Sequence, residues 1–415
     1  MIMGVNTLSA QDVLTFDQAV SVALKQNHQI EIARNNATIA RKNVNIGNAD
    51  LLPNINLSGS ANYQDSDGGV ASEDASTQTN AQVSASYTLF DGFGNIYRFK
   101  KLQASGRLGE IEARNLIEFT LLQVGQAYYA AASAYENFQI ARELLIISQE
   151  RLERAKQRSA YGQARTIDVL AAQVDLNSDS VTVTQAQFQW DETKRGLNVL
   201  LNRDVEHPFL VDTVVNFAEP ENLESLKILA LDRNADYLAT RERFNQSRYD
   251  LSVAKSAHLP RIDLSASYGY SQNTSDLNIR LDDPSKTLRV GATLSLNLFN
   301  GFKTSIQRQN AQIDLKNQEL RNQEELLNLE KEVTSAYEAF HNALLVLDLE
   351  ERSLEAAVLN FRRTQELYNL GQVTTTQFRE AQLNLIRAKS NLSSAKYDAK
   401  LNEIELLRLT GMLVE

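Results

Sequence analysis

The chain has no cysteine among its 415 residues. That excludes disulfides, thiolate catalysis, cysteine-based zinc sites and a lipidated cysteine, and it is compatible with an oxidising compartment. Proline occurs 5 times and glycine 17 times, too sparsely for a fold of many short elements. The four histidines, His28, His207, His258 and His341, are far apart and lack ligand spacing, so no metal is expected. The formal charge is −10, and no Lys/Arg cluster is interleaved with aromatics, so no nucleic acid is expected as a partner. No nucleophile–base set and no phosphate loop stands out, so neither an enzyme nor a cofactor is expected. No run of 18 apolar residues exists, so a membrane role must use strands.

What the sequence does contain is a repeat. Leu52-Pro53 returns as Leu259-Pro260, Leu89-Phe90-Asp91-Gly92-Phe93 as Leu298-Phe299-Asn300-Gly301-Phe302, and Tyr161-Gly162-Gln163 as Leu370-Gly371-Gln372. The near-constant offset means duplication, and each copy must bury its faces against the other or against further chains. The division expected is 11–205 and 222–415 for the repeats and 206–221 for a linker. Residues 1–10 read as the end of a secretory signal.

In repeat two, Phe302 to Leu370 holds neither Gly nor Pro, which predicts one helix over 302–370, roughly 100 Å long. Its seam runs Leu326, Val333, Phe340, Leu347, Leu354, Phe361, Tyr368 beside Leu329, Ala336, Ala343, Glu350, Ala357. Repeat one shows the same in Ile117, Val124, Ala131, Phe138, Leu145 and Leu152, within a helix over 93–159. A sustained seven-residue period implies left-handed supercoiling. Gly162 and Gly371 break the helices, and return helices over 165–202 and 374–410 close antiparallel hairpins. Shorter helices are expected near 15–50 and 222–257.

Four segments alternate strictly: 55–63, 81–89, 262–270 and 288–298. Ile55, Leu57, Gly59, Ala61 and Tyr63 oppose Asn56, Ser58, Ser60 and Asn62, and the other three follow suit. Length and pattern match membrane-spanning strands. Tyr63, Tyr87, Tyr268, Tyr270 and Phe299 read as aromatics at strand ends, where an interfacial belt would sit. Four strands cannot close a barrel of useful bore, and open edges in lipid leave backbone groups unpaired, so several chains must pool their strands. The polar, acidic stretches 64–80 and 271–287 read as solvent loops. Asp65-x-Asp67-Gly68-Gly69 hints at calcium but lacks the full loop pattern and reads as a solvated loop. Trp190 reads as packing. A soluble coiled-coil scaffold leaves the alternating strands unexplained. An autonomous porin needs no helical tunnel.

In this order and twice over, helix, Leu-Pro, strand hairpin, Phe-x-Gly-Phe, long helix, glycine turn and return helix resemble the TolC family of outer-membrane efflux ducts across essentially the whole chain. Leu197-Asn198-Val199-Leu200-Leu201-Asn202 and Leu406-Leu407-Arg408-Leu409-Thr410-Gly411, closing the two repeats, add to the match. The resemblance implies a mainly α chain with a membrane β-barrel part. It implies a homotrimer with twelve pooled strands in one barrel and an α-barrel crossing the periplasm. It also implies a passive exit duct in outer-membrane lipid, serving tripartite efflux or type I secretion, docked to a periplasmic adaptor (membrane fusion) protein and an inner-membrane transporter. By the same resemblance the hairpin tips form the gated mouth. Asp168, Tyr368, Gln377 and Glu380 map onto gate positions, and Gly162, Arg165, Gly371 and Thr375 onto the adaptor-docking tips. Val373 stands where the family has a gate arginine, and Gln377 replaces a ring carboxylate, so the family's gate ion pair is not intact; Arg165 and Arg379 are the candidate substitutes. One carboxylate per chain becomes a ring in a symmetric oligomer, which favours cations. Acids at helix starts are also favoured by the macrodipole, so both readings of Asp168 and Glu380 stand.

Overall fold

The computed structural model describes residues 13–67, 73–162, 165–218, 221–275 and 284–413. The signal-like residues 1–10, Gly68 and Gly69 of the calcium-like stretch, and the loop acids Asp276, Asp282 and Asp283 lie outside these. The elements run β1 (Val13–Leu14), α1 (Phe16–Gln26), α2 (His28–Asn43), β2 (Asn54–Asp67), β3 (Glu73–Phe90), α3 (Gly94–Ala160), α4 (Thr166–Leu200) and β4 (Leu210–Val211). They continue with α5 (Leu223–Arg233), α6 (Ala235–Ser256), β5 (Arg261–Ser275), β6 (Ser285–Ser295), α7 (Lys303–Asn369) and α8 (Thr375–Leu409). No described helix is long and apolar enough to cross a membrane.

The duplication shows in matched elements. α1 and α5 each have 11 residues, α3 and α7 each 67, α4 and α8 each 35. The starts of β2 and β5, at 54 and 261, differ by 207 positions, and those of α3 and α7, at 94 and 303, by 209. The extra two residues of repeat two therefore fall within its strand hairpin.

The chain forms two compact units. One comprises the chain up to Asn35, Glu112–Leu238 and everything from Leu326 onward; the other comprises Asn36–Ile111 and Ala239–Glu325. In the first, α3 buries Leu121, Val124, Tyr128 and Ala131 against Ala19, Ala23 and Ile30 of α1 and α2, Trp190 and Leu197 of α4, and Tyr397 and Ile404 of α8. Trp190 is packing, with its ring 5.1 Å from Tyr135 and 6.2 Å from Phe209. The Tyr128 hydroxyl lies within hydrogen-bonding distance of the Leu14 and Asp212 carbonyls, at 2.9 and 3.1 Å, beside the β1–β4 bridge. Burial holds its pKa well above the ordinary value, so it remains a donor.

The second unit holds an antiparallel sheet in the order β2-β3-β5-β6. Each strand hairpin enters after a proline, Pro53 or Pro260, which ends the preceding helix and biases the chain to an extended course. The register lines up the apolar positions of all four strands. Leu57, Val83, Tyr268 and Leu288 form one row, and Ile55, Ala85, Ala266 and Val290 the next. Leu57, Val290 and Leu288 remain 79, 75 and 69 % exposed, so none of the described residues covers this face.

Three readings of the strands need correction. The ladder of β2 and β3 continues out to Asp67 opposite Glu73, so most of 64–80 is strand rather than loop. β5 likewise extends to Ser275, and β6 starts at Ser285 and ends at Ser295, short of 298. Strands lengthened in this way leave Tyr268 near mid-strand rather than at an end, and Phe299 beyond β6. A register shift between Thr88 and Phe90 brings Phe90, not Leu89, opposite Ile262; such a bulge carries one residue out of the ladder.

The Phe-x-Gly-Phe repeats turn each hairpin into a long helix. Gly92 and Phe93 sit at φ +70°, as do Gly301 and Phe302 at +65° and +69°. Asp91 then accepts from the Asn95 N–H at 3.0 Å, and Asn300 from the Thr304 N–H at 3.3 Å, which is why Asp or Asn stands there. The two glycines differ in surroundings. A Cβ on Gly92 would meet the Ser256 carbonyl oxygen at 2.6 Å and the Leu259 Cβ at 2.7 Å, whereas one on Gly301 meets nothing within 4 Å. Gly92→Ala is therefore expected to lower stability by about 2–3 kcal/mol, against about 1 kcal/mol for Gly301→Ala in the isolated chain. Thermal melts followed by circular dichroism check the difference, and equal costs would refute it.

Candidate functional site at the helical hairpin tips

Glycine ends each long helix. Gly162 and Gly371 take φ +71° and +75°. At the second tip the Gln372 N–H donates to the Leu367 carbonyl at 2.9 Å and the Gly371 N–H to the Tyr368 carbonyl at 3.0 Å, the paired closure that glycine permits at a helix end. Each return helix then starts on a reciprocal or half-reciprocal cap. The Gln377 N–H donates to Thr374 Oγ1 at 3.2 Å, and the Thr374 N–H to Gln377 Oε1 at 2.9 Å. At the first tip the Asp168 carboxylate accepts from the Arg165 N–H at 3.2 Å, and the Arg165 side chain lies 3.5 Å from it. Asp168 and Gln377 thus occupy the same third helical position, and each satisfies an otherwise orphaned backbone donor. Thr374→Ala is expected to cost about 1 kcal/mol and to fray the start of α8, seen as faster amide exchange at Gln377 and Phe378.

Tyr368 stacks on Phe378 with ring centroids 4.6 Å apart. It is buried with Phe361, Ala381 and Leu385 in a local core of α7 and α8. Gly162, Arg165 and Gly371 are exposed at the turns. Asp168, Thr375 and Glu380 come together around one cleft of about 560 Å³, with Arg151, Asp175 and Arg379 among its other walls. Glu380 is exposed at its rim.

Beneath this cleft lies a polar cluster that the sequence did not disclose. Arg379 of α8 grips Asp179 of α4 through both oxygens, Nη1 to Oδ2 at 2.8 Å and Nη2 to Oδ1 at 2.7 Å. Ser148 of α3 donates to the same carboxylate at 2.5 Å, and Gln382 Nε2 donates to Ser148 Oγ at 3.2 Å. Arg151 of α3 pairs with Asp175 of α4, which Arg379 Nε also approaches at 3.9 Å. The Asp179 side chain is 3 % exposed and that of Arg151 1 %. Of the two arginines considered as gate substitutes, Arg165 pairs only locally, whereas Arg379 ties three helices together. The signal was present as a spacing. Ser148 with Arg151 and Arg379 with Gln382 lie three apart, and Asp175 with Asp179 four apart, so each pair shares a helix face.

Each hairpin also leaves a stripe without a partner. On α4, Ile167, Leu170, Val174, Val181 and Phe188 are 55 to 66 % exposed. On α7, Leu345, Leu349 and Leu359 are 53 to 66 % exposed, and Leu370, just past its end, is 71 % exposed. The α4 stripe steps by threes, fours and sevens, and the second by four, ten and eleven, which are sums of those spacings, as along the seam of a coiled coil.

Paired strands with one uncovered apolar face, joined to long supercoiling hairpins and doubled within one chain, define a channel-forming protein that spans a membrane with strands. The family model for outer membrane efflux proteins matches residues 19–203 and 228–412, and the chain belongs to that family. The cation efflux system protein CusC of Escherichia coli K12 is 23 % identical over 94 % of this chain and 85 % of its own length. The outer membrane protein TolC of Vibrio cholerae is 24 % identical over 88 and 83 %, and the alkaline protease secretion protein AprF of Pseudomonas aeruginosa 24 % over 91 and 80 %. The solved CmeC outer membrane channel of Campylobacter jejuni superposes with a TM-score of 0.80 at 19 % identity, covering 96 % of this chain and 86 % of the other.

Proposed function

We propose that three copies of this chain form a passive exit duct through the outer membrane, joined at the helical tips to a periplasmic adaptor protein and through it to an inner-membrane transporter that supplies the energy. Membership of the outer membrane efflux family places the work of the chain, transport at the outer membrane, and the relatives named for cation efflux and protease secretion are of this kind. The observation that carries the trimer is the sheet. Its apolar face is bare, and its outer strands β2 and β6 each present an unpaired edge. Lipid covers such a face, but an edge in lipid must find another strand. β2 and β6 run in opposite directions, so β6 of one chain beside β2 of the next continues the antiparallel order, and three chains supply twelve strands. A soluble scaffold would leave the face in water, and an autonomous porin would have no use for the hairpins.

At the tips, Glu380 lines the constriction, with Asp168 capping the neighbouring helix start at the same cleft. Gly162, Arg165, Gly371 and Thr375 present the turns to the adaptor, and Tyr368 with Phe378 sets the angle of the second hairpin. Gln377 serves the cap rather than a charge ring.

Native mass spectrometry of protein extracted from outer membranes in mild detergent tests the assembly. A species of three 46.5 kDa chains is expected, and a water-soluble monomer or dimer would overturn the duct. For the constriction, Glu380→Gln channels in planar bilayers are expected to lose cation preference by about two-fold or more. Unchanged selectivity removes Glu380 from the pore.

A further inference from the structure

Among the described residues, Arg289 on the polar face of the sheet has no counter-charge. Asn56, Ser84, Ser267 and Arg289 form a single cross-strand row. The rows flanking it on the opposite face are Ile55–Ala85–Ala266–Val290 and Leu57–Val83–Tyr268–Leu288, so Arg289 lies at the depth of the apolar band, on the side away from lipid.

A second arginine on the polar face is already engaged. Arg261 Nε donates to Asp263 at 2.7 Å and its Nη2 to Thr88 Oγ1 at 2.9 Å. Arg289 is exposed and has no side-chain hydrogen bond or ion pair among the described residues. The nearest polar-face positions on β3, β5 and β6 are Gln82, Ser86, Ser265, Gly269, Thr287 and Gly291. β6 is an edge strand, so the remaining neighbour is β2 of the next chain in the barrel. From Asn54 to Gln64 the polar face of β2 reads Asn, Asn, Ser, Ser, Asn, Gln. Whatever the register of that pairing, this stretch offers Arg289 no carboxylate.

We propose that Arg289 forms a ring of three unpaired guanidinium groups inside the barrel, a site that takes anionic groups, carboxylate or phosphate, on solutes passing through the lumen. The proposal rests on the trimeric duct above. The chemistry is that of the guanidinium fork, which grips carboxylate and phosphate oxygens in pairs. Three such forks facing one aqueous bore inside a low-dielectric barrel would focus a positive potential there. The rest of the row, Ser and Asn hydroxyls and amides, adds donors without adding charge.

Isothermal titration of purified trimers in detergent with inorganic tripolyphosphate tests the site. One tripolyphosphate per three chains is expected, with affinity falling as salt rises. Arg289→Gln introduces a side chain already common on this face; it is expected to weaken binding by about ten-fold or more, with Arg289→Lys in between because it keeps the charge and loses the fork. In bilayers, tripolyphosphate added on the side of the strand hairpin loops is expected to reduce wild-type current and to spare Arg289→Gln. Trimers that bind equally well with glutamine at 289, or wild-type trimers that bind none, overturn the site while leaving the duct intact. Failure of the wild-type chain to form trimers overturns the duct and the site together.

Discussion

Arg379→Ala is expected to cost the helical hairpins about 3–5 kcal/mol, the range seen when one partner of a buried ion pair is removed. Asp179 would be left almost fully buried, with only the Ser148 hydroxyl donating to it. A hydrogen bond from a hydroxyl does not offset the desolvation of a carboxylate. Arg379→Lys should recover only part, because one ammonium cannot reproduce a two-point grip. The double change Arg379→Met with Asp179→Leu should recover most, since it removes the buried charges together. Arg352→Ala is the control: its pair with Asp348 is largely exposed, and exposed pairs contribute about 0–1 kcal/mol. Denaturant midpoints of the four variants decide the matter. If Arg379→Ala and Arg352→Ala cost the same, the cluster contributes nothing special. Because the cluster binds α8 to both α3 and α4, Arg379→Ala channels should also conduct more readily.

Phe188→Asp is expected to abolish the trimer. The side chain is 63 % exposed in the single chain, so its replacement should change the stability of the separate chain by no more than about 0.5 kcal/mol. Between chains the case differs. Burying a phenylalanine contributes about 1.5–3 kcal/mol, an unpaired aspartate in the same place is costly, and a threefold ring repeats the loss three times. The α7 stripe is its expected partner, and Leu349→Asp should have the same effect from the other side. α3 and α8 are joined within the chain by Arg379, Lys389 and Lys396, which leaves α4 and α7 as the outer helices of each set of four. Size-exclusion chromatography with light scattering would show monomers in both variants. Trimers that persist in both would mean that the stripes face solvent or lipid and not each other.

Much of the fold was legible because it depends on local rules. Alternation disclosed the strands, the seven-residue period disclosed the buried seam at Val333, Phe340, Phe361 and Tyr368, and glycines at positive φ marked both tips. The strand ends are not legible because Gln64 to Asn80 is mostly polar. Beyond an apolar band, a strand has no hydrophobic face to alternate, and only hydrogen bonding to its neighbour defines it. The roles of the tip residues are not legible in the sequence for a different reason. Spacing from a glycine finds the third position of the following helix, where a cap and a charge ring look alike in sequence. The Arg379 cluster joins positions 200 and 231 apart in the chain, so no local pattern could assemble it. The second stripes are faint in the sequence because Asn177, Thr184, Arg352 and Arg363 interrupt their apolar run, while the inner seams are more continuous.

The unequal surroundings of Gly92 and Gly301 reach further than the cost of a methyl group. Gly92 is wedged against Ser256 and Leu259 at the end of α6. Its twin Gly301 stands in open space, flanked by Leu298, Phe299 and Phe302, which are 89, 73 and 68 % exposed. Stepping back 207 positions, the repeat-one counterparts of Ser256 and Leu259 are Ala49 and Leu52, and Leu52 is half exposed. Near-identical turns in a ring call for near-identical sockets: the first turn finds its socket within the chain, and the second is expected to find one in a neighbouring chain of the proposed trimer. On that expectation the turn after β6 is a plug and the segment that follows α2 its socket, so a chain alone is left holding one of each. In the assembled ring, Gly301→Ala should become as costly as Gly92→Ala, although the two differ in the isolated chain.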